Sequence, residues 1–211
     1  MKILIVDDHA IFRAGLRQLL LEELPIECIA EANNSASALA KLREKKWDII
    51  LLDINLPDRN GIDVLKSIRQ ENDKVPVLML SMFSEEQYAI RAIRAGATGY
   101  LTKDSSPDVL LQAIVNVVKG EKYISQSLAE TMALHLQKPK MEENPHILLS
   151  DREYDIFTRL ASGKTVSQIA EQLLLSVKTV STYRSRILKK MHLKNNADLM
   201  QYAFSHDLIH R

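Results

Sequence analysis

Ile49-Ile50-Leu51-Leu52-Asp53 is an aliphatic run closed by a carboxylate. A short continuous run of this kind reads as a strand buried on both faces, as in the middle of a parallel sheet. A buried carboxylate is costly unless it is paired or binds a metal. In open α/β sheets ligands gather outside the C-terminal ends of the strands. The next residues, Ile54-Asn55-Leu56-Pro57-Asp58-Arg59-Asn60-Gly61, contain Leu-Pro and Asn-Gly steps, which mark a loop. Asp53 is therefore expected at the mouth of a sheet, beside a loop.

The same pattern repeats on either side. Lys2 to Val6 is an apolar strand that runs into Asp7-Asp8. Ile11 to Leu24 has helical apolar spacing, Ile26 to Ala30 reads as a strand, and Ser35 to Glu44 reads as a helix. After Asp53 come a helix from Ile62 to Ile68 and a strand from Val75 to Leu80 that meets Ser81. A helix from Glu85 to Ala95 follows, then a strand Gly99-Tyr100-Leu101-Thr102 that meets Lys103. Pro107 to Val118 closes the series as a helix, with Ser106 as its expected N-cap. Strict alternation with short loops predicts a five-stranded parallel, doubly wound α/β domain over residues 1–118.

All strand ends of a parallel sheet lie on one edge, so Asp7, Asp8, Asp53, Ser81 and Lys103 can converge. Each has an ordinary reading alone: a helix cap, a turn hydroxyl, a solvated lysine. Together they describe phosphate chemistry. Clustered carboxylates call for a hard cation, and Mg²⁺ prefers oxygen ligands. Asp7 or Asp8 with Asp53 can supply them, and the backbone carbonyl of Asn55 can add another. A carboxylate oxygen of Asp53 can attack phosphorus. Lys103 offers a point charge and Ser81 a hydroxyl to the phosphate oxygens. His9 is read as exposed at the start of the first helix, with no role assigned.

Residues 119–146 have the polar, proline-bearing composition of a linker, as in Lys138-Pro139-Lys140 and Glu142-Glu143-Asn144-Pro145. Ile124, Leu128, Met132 and Leu136 recur at helical spacing and predict an amphipathic helix over 125–137.

Residues 147–211 change character. Ser150 and Glu153 form a capping-box signature before Ile156, Phe157, Leu160 and Ala161. A short helix over Thr165–Leu174, a third from Val177 to about Met191 capped by Ser176, and a fourth from Asn196 complete a small all-α, four-helix unit. The short turn between the second and third helices matches a helix-turn-helix. On the third helix Val177, Val180, Ile187, Leu188 and Met191 share one face, read as core. Lys178, Ser181, Thr182, Ser185 and Lys189 lie opposite, and Thr179 and Arg186 are counted with them as candidate DNA contacts. From Ser176 to Lys194 there are six basic residues and no acidic ones, which suits phosphates, while Ser and Thr reach phosphates or base edges. Arg184 falls near the apolar face, without an evident partner.

Bulk properties agree. Apolar residues make up 46% and charged residues 26% of 211 residues, as in ordinary globular chains. No apolar run approaches the roughly 18 residues of a membrane span, and the start is too short for a signal peptide. One cysteine, Cys28, permits no internal disulfide and is read as a buried, reduced thiol; a cytoplasmic location is expected. Residues 147–211 hold ten Lys/Arg against six Asp/Glu, and the remainder 18 against 21, so the C-terminal part is the basic one.

Residues 1–118 resemble the flavodoxin-like receiver domain of two-component response regulators. The likeness is carried by Ile5-Val6-Asp7-Asp8-His9, Leu52-Asp53, Leu56-Pro57, Asn60-Gly61, Leu80-Ser81 and Ala95-Gly96-Ala97-Thr98-Gly99-Tyr100-Leu101-Thr102-Lys103. The resemblance implies that Asp53 accepts a phosphoryl group from a sensor histidine kinase. It also implies that Asp7, Asp8 and the Asn55 carbonyl serve Mg²⁺, that Ser81 and Lys103 hold the phosphate, and that Tyr100 is the switch aromatic. Met82 departs from the small residue common after the switch hydroxyl, and is expected to narrow access to the phosphate and slow its loss.

Residues 147–211 resemble the LuxR-type DNA-binding domain of the NarL/FixJ class. The likeness rests on Leu149 to Glu153, Gly163, Ile169-Ala170, Leu175-Ser176, Lys178-Thr179-Val180 and Lys189-Lys190-Met191. Val180 to Arg184 is especially like the BvgA/EvgA/UvrY branch. Most members carry His where Tyr183 stands and an apolar residue where Arg184 stands.

The expectation is a phosphorylation-switched transcription regulator, not an enzyme, that dimerises when phosphorylated and binds double-stranded DNA. Two rivals differ in class. A phosphohydrolase with an Asp nucleophile commonly carries a second Asp two residues on, where this chain has Asn55. A phosphorylation-independent DNA-binding regulator would have a vestigial acidic edge, against which the full set Asp8, Asp53, Ser81 and Lys103 speaks.

Overall fold

A computed structural model describes residues 1–71, 74–82, 85–126, 128–130, 145–206 and 208–209, with the side chains of 85–87 outside that description. The chain gathers into two compact units whose boundary falls within residues 131–144.

In the first unit β1 (Lys2–Val6), β2 (Cys28–Ala32), β3 (Ile49–Asp53), β4 (Val77–Ser81) and β5 (Gly99–Thr102) alternate with five helices. These are α1 (Ala10–Glu23), α2 (Ser35–Glu44), α3 (Gly61–Gln70), α4 (Glu85–Arg94) and α5 (Pro107–Val118). The strands pair in parallel in the order β2-β1-β3-β4-β5. The order reverses direction at β1 and β3, and that switch point is where open α/β sheets place ligands.

The sheet centre is apolar on both faces. Every residue of β3 is buried, and Ile3, Ile5, Ile49, Leu51, Leu78 and Leu80 pack with Leu16 and Leu20 of α1 and Ala113, Ile114 and Val117 of α5. Each such aliphatic side chain contributes roughly 1.5–3 kcal/mol relative to exposure. Asp7, Asp53 and Ser81 are polar exceptions at the strand ends, at 1%, 2% and 1% exposure.

Several expected boundaries move. β2 begins at Cys28, not Ile26, because Lys2 pairs with Cys28. Before it the Ile26 N–H turns back onto the Leu24 carbonyl, leaving Ile26 packed against the core instead. β4 starts two residues later than expected, at Val77. Ser106 stands at the N-cap of α5 but makes no side-chain cap bond. Cys28 is half-buried, with Lys45 Nζ 3.0 Å from its sulfur, so it is not the buried thiol expected. Of the linker helix expected over 125–137, Gln126 and residues 128–130 are helical and Leu128 is buried; Met132 and Leu136 lie outside the described residues.

The second unit opens with a 3₁₀ turn, Pro145–Leu148, followed by α6 (Asp151–Ala161), α7 (Val166–Gln172), α8 (Val177–Lys190) and α9 (Asn196–Ser205). Ser150 and Glu153 form the capping box read from the sequence. A second one joins Thr165 and Gln168 at α7. Phe157, Leu160, Ile169, Val180, Ile187, Leu199 and Ala203 form its core. Val177 does not join them: at the first turn of α8 it is 51% exposed, so the predicted core face begins at Val180. Among the described residues no helix is long and apolar enough to cross a membrane.

Candidate functional site

The β1, β3 and β5 ends converge as the alternation requires. Lys103 follows β5, its N–H fixed on the Ser81 carbonyl at 2.8 Å. Its Nζ reaches Asp53 Oδ2 at 2.7 Å and Asp7 Oδ2 at 2.6 Å, with only 5% of the side chain exposed. Lys103 thus supplies the positive charge between two buried carboxylates, which would otherwise repel at low dielectric. The ammonium also lies 4.8 Å from the Phe12 ring centroid.

Burial pushes the Asp53 carboxyl up to about 6; Lys103 opposes the rise, Asp7 adds to it, and the Asn55 N–H, 3.2 Å from Asp53 Oδ1, opposes it again. The loop after Asp53 is closed by the Gly61 N–H on the Ile54 carbonyl and by bridge pairing of Asn55 with Asn60. Asn60 caps α3 through its side chain. Gly61 is required there: a Cβ at that position would stand 2.0 Å from the Asp53 carbonyl oxygen. Its role is close approach, not a left-handed backbone.

Ser81 is 1% exposed at the end of β4 and Tyr100 is fully buried in β5. The aromatic expected to act in the switch therefore has its ring already inside. Met82, immediately after Ser81, is 71% exposed.

The donor set suits a hard cation. Ligand atoms of Asp7, Asp8, His9 and Asp53 all lie within 4.8 Å of one another. Asp7 Oδ2 is the oxygen paired with the Lys103 ammonium, at 2.6 Å. A cluster of closely spaced, mainly carboxylate ligand atoms is compatible with a divalent metal.

His9 is exposed at the start of α1 as expected, and it also belongs to the cluster, which its place directly after Asp8 could have signalled. Two further residues near this edge escaped the sequence reading. Arg13 donates to the Asp7 carbonyl at 2.6 Å while its Nε is held by Glu31 at 3.2 Å. Asp58, in the loop after Asp53, accepts from Ser35 N–H, Ser35 Oγ and Ala36 N–H, tying that loop to the start of α2. The last two are contacts across elements that no local pattern announces.

In the second unit α8 presents Lys178, Ser181, Thr182, Ser185, Arg186 and Lys189 exposed on one side; Thr179 is half-buried and shares a hydroxyl contact of 2.7 Å with Ser176. Thr182 Oγ1 donates to the Lys178 carbonyl at 2.9 Å and Ser185 Oγ to the Ser181 carbonyl at 3.1 Å. These two hydroxyls therefore face outward chiefly as acceptors. A concavity of about 300 Å³ is lined by Ser176, Lys178, Thr179, Thr182, Tyr183 and Arg186. Tyr183, which the sequence reading noted only as a departure, belongs to that surface, with the Arg186 guanidinium 6.0 Å from its ring. Arg184 finds the partner the sequence did not show: its Nε donates to Asn196 Oδ1 at 2.7 Å, joining α8 to the first turn of α9. Lys190 turns away from this surface to Glu153, at 2.6 Å.

Comparison with known proteins gives two family matches. Residues 3–115 match the response regulator receiver domain, and residues 148–203 match the bacterial regulatory proteins of the luxR family. The chain is similar to the response regulator UvrY of Escherichia coli (strain K12), 34% identical over 98% of this chain and 94% of that one. It is similar to the response regulator GacA of Pseudomonas syringae pv. syringae (strain B728a), 32% identical over 99% of this chain and 97% of that one. Among solved structures, the Salmonella typhimurium response regulator RcsB covers 97% of this chain and 98% of its own at a TM-score of 0.57; at 23% identity it speaks for the fold alone.

Proposed function

The chain belongs to the response regulators that join a receiver domain to a luxR-family DNA-binding domain, and from that membership we propose that Asp53 is its phosphoacceptor. It is a phosphorylation-controlled, DNA-binding transcription regulator, not an enzyme; its partners are a sensor histidine kinase and DNA. The observation that carries the Asp53 assignment is its burial at the switch point of the sheet, with Lys103 Nζ, which it shares with Asp7, at 2.7 Å.

Mg²⁺ is the cation proposed for the acidic edge. Asp7, Asp8, Asp53 and the Asn55 carbonyl hold it; when bound, it neutralises charge on the phosphoryl oxygens. Lys103 moves from the carboxylates toward the phosphoryl group, and Ser81 donates its hydroxyl to a phosphoryl oxygen. Tyr100, already buried, repacks as Ser81 moves, and the surface formed by α4, β5 and α5 changes shape. That change favours a dimer whose paired α8 helices enter successive major grooves, half-sites spaced by one helical turn or a multiple of it.

Lys178, Arg186 and Lys189 serve phosphates, while Thr179, Ser181, Thr182 and Ser185 serve phosphates or base edges. The receiver spans 1–118, the connector 119–146 and the DNA-binding domain 147–211. The protein works in the cytoplasm.

The test is incubation with a small phosphodonor such as acetyl phosphate, with and without Mg²⁺, followed by mass spectrometry of borohydride-trapped peptides. Mg²⁺-dependent label on the Asp53 peptide, absent in Asp53→Asn, is expected. Label on another acid, or none, overturns the assignment.

A further inference from the structure

His9 stands inside the acidic edge. Its Nδ1 makes hydrogen-bond-length contacts with Asp8 Oδ1 at 2.8 Å and Asp7 Oδ1 at 3.2 Å, so the ring nitrogen already faces both acids. Its own N–H donates to Asp7 Oδ1 at 2.9 Å, which fixes the residue over the cluster. It occupies the N-cap position of α1, yet its side chain makes no cap bond, so the ring is not spent on the helix. The ring is also 62% exposed at the mouth of the site and can be reached from solvent.

We propose that His9 is a metal ligand through Nδ1, which makes this edge a mixed nitrogen–oxygen site for borderline divalent cations such as Co²⁺, Ni²⁺ and Zn²⁺ as well as for Mg²⁺. The proposal rests on the reading of the edge as a cation site and adds a ligand that changes which cations it holds.

The spacing favours this arrangement. Neighbouring ligands around an octahedral ion with bonds of about 2.1 Å are separated by about 3 Å, the edge of the octahedron. The two distances from Nδ1 to the carboxylate oxygens bracket that value. Asp7 Oδ2, buried and paired with the Lys103 ammonium at 2.6 Å, marks the inner end of the same cluster. Imidazole suits zinc, nickel and copper-type ions, whereas all-oxygen shells suit magnesium and calcium. Removing the nitrogen therefore weakens the borderline ions far more than Mg²⁺.

The experiment is calorimetric titration of the full chain with Co²⁺ and with Mg²⁺, in wild type, His9→Ala and Asp53→Asn. Paramagnetically shifted imidazole resonances are recorded by NMR for the Co²⁺ forms. Because the ring is exposed, His9→Ala is expected to fold.

Wild type is expected to bind Co²⁺ at a site from which excess Mg²⁺ displaces it. His9→Ala is expected to weaken Co²⁺ by about tenfold or more, lose the shifted imidazole signal, and change Mg²⁺ affinity less than threefold. Equal Co²⁺ affinity in both proteins, with no shifted imidazole signal in wild type, overturns the role of His9 and leaves the cation site standing. Absence of any Mg²⁺ or Co²⁺ binding sensitive to Asp53→Asn overturns the cation site and this inference together.

Discussion

Lys103 Nζ and Asp53 Oδ2 meet at 2.7 Å across 50 residues of sequence. The contact exists because β3 and β5 flank β4 in parallel and end on the same edge. It sets the state from which the switch starts: a buried carboxyl held by one ammonium that it shares with Asp7.

Asp53→Asn is expected to stabilise the metal-free protein above pH 6. Burial raises the folded-state pKa from 3.8 to about 6, so ionisation of Asp53 costs stability above that value. The cost disappears as pH falls through 6 towards the unfolded value. The difference is on the order of 3 kcal/mol at neutral pH. Urea unfolding in a chelator at pH 7.5 and pH 4.5 checks it; a variant advantage that does not shrink at the lower pH contradicts it.

Gly61→Ala places a methyl group 2.0 Å from the Asp53 carbonyl oxygen. The loop after β3 has to move, at a cost of at least about 2 kcal/mol. Phosphorylation by acetyl phosphate is expected to slow as well, because the displaced backbone belongs to Asp53, the proposed acceptor. Normal stability and labelling would show that the loop is freer than its contacts imply.

Glu153 is nearly buried beneath Lys190. Burial alone would raise its pKa, but the hydrogen bonds from Lys190 and Ser150 outweigh it and hold the carboxyl below 4.5. A depressed folded-state pKa stabilises above the unfolded value and is lost as pH falls through the folded one. The second unit is therefore expected to loosen below about pH 4.5. In Glu153→Gln it should already be weaker at neutral pH by about 1–2 kcal/mol, with a shallower acid limb. Amide hydrogen exchange over 150–190 reads both effects.

Arg184 and Lys178 are expected to separate in DNA binding. Arg184 is engaged with Asn196, so Arg184→Leu should cost about 1 kcal/mol of stability and change DNA affinity little. Exposed Lys178 should act on phosphates: Lys178→Ala should weaken binding across sequences and lower the salt slope by about one. Affinity measured at several salt concentrations distinguishes them.

Much of this was legible in the chain. Residues 49–53 decided the sheet because a continuous aliphatic run ending in Asp leaves few alternatives, and the strand ends then delivered Asp7, Asp53, Ser81 and Lys103 to one edge. What stayed hidden depends on register or on contacts between distant elements. β2 looked as though it began at Ile26 because apolar residues start there, whereas its ladder with β1 starts at Cys28. Val177 fits the wheel of α8 but stands before the helix meets the core. Arg13, Asp58 and the Asn196 partner of Arg184 act across loops or helices, where periodicity carries no signal. His9 was adjacent to the acids and passed over because an exposed histidine is ordinarily just solvated.

The most direct test of the switch is fluorescence anisotropy of the full chain on a pool of random duplexes across a salt series, with and without Mg²⁺ and beryllofluoride as a stand-in for the phosphoryl group on Asp53. The account predicts tighter, salt-sensitive binding with the mimic and no gain in Asp53→Asn. Salt-sensitive binding that ignores the mimic would contradict it.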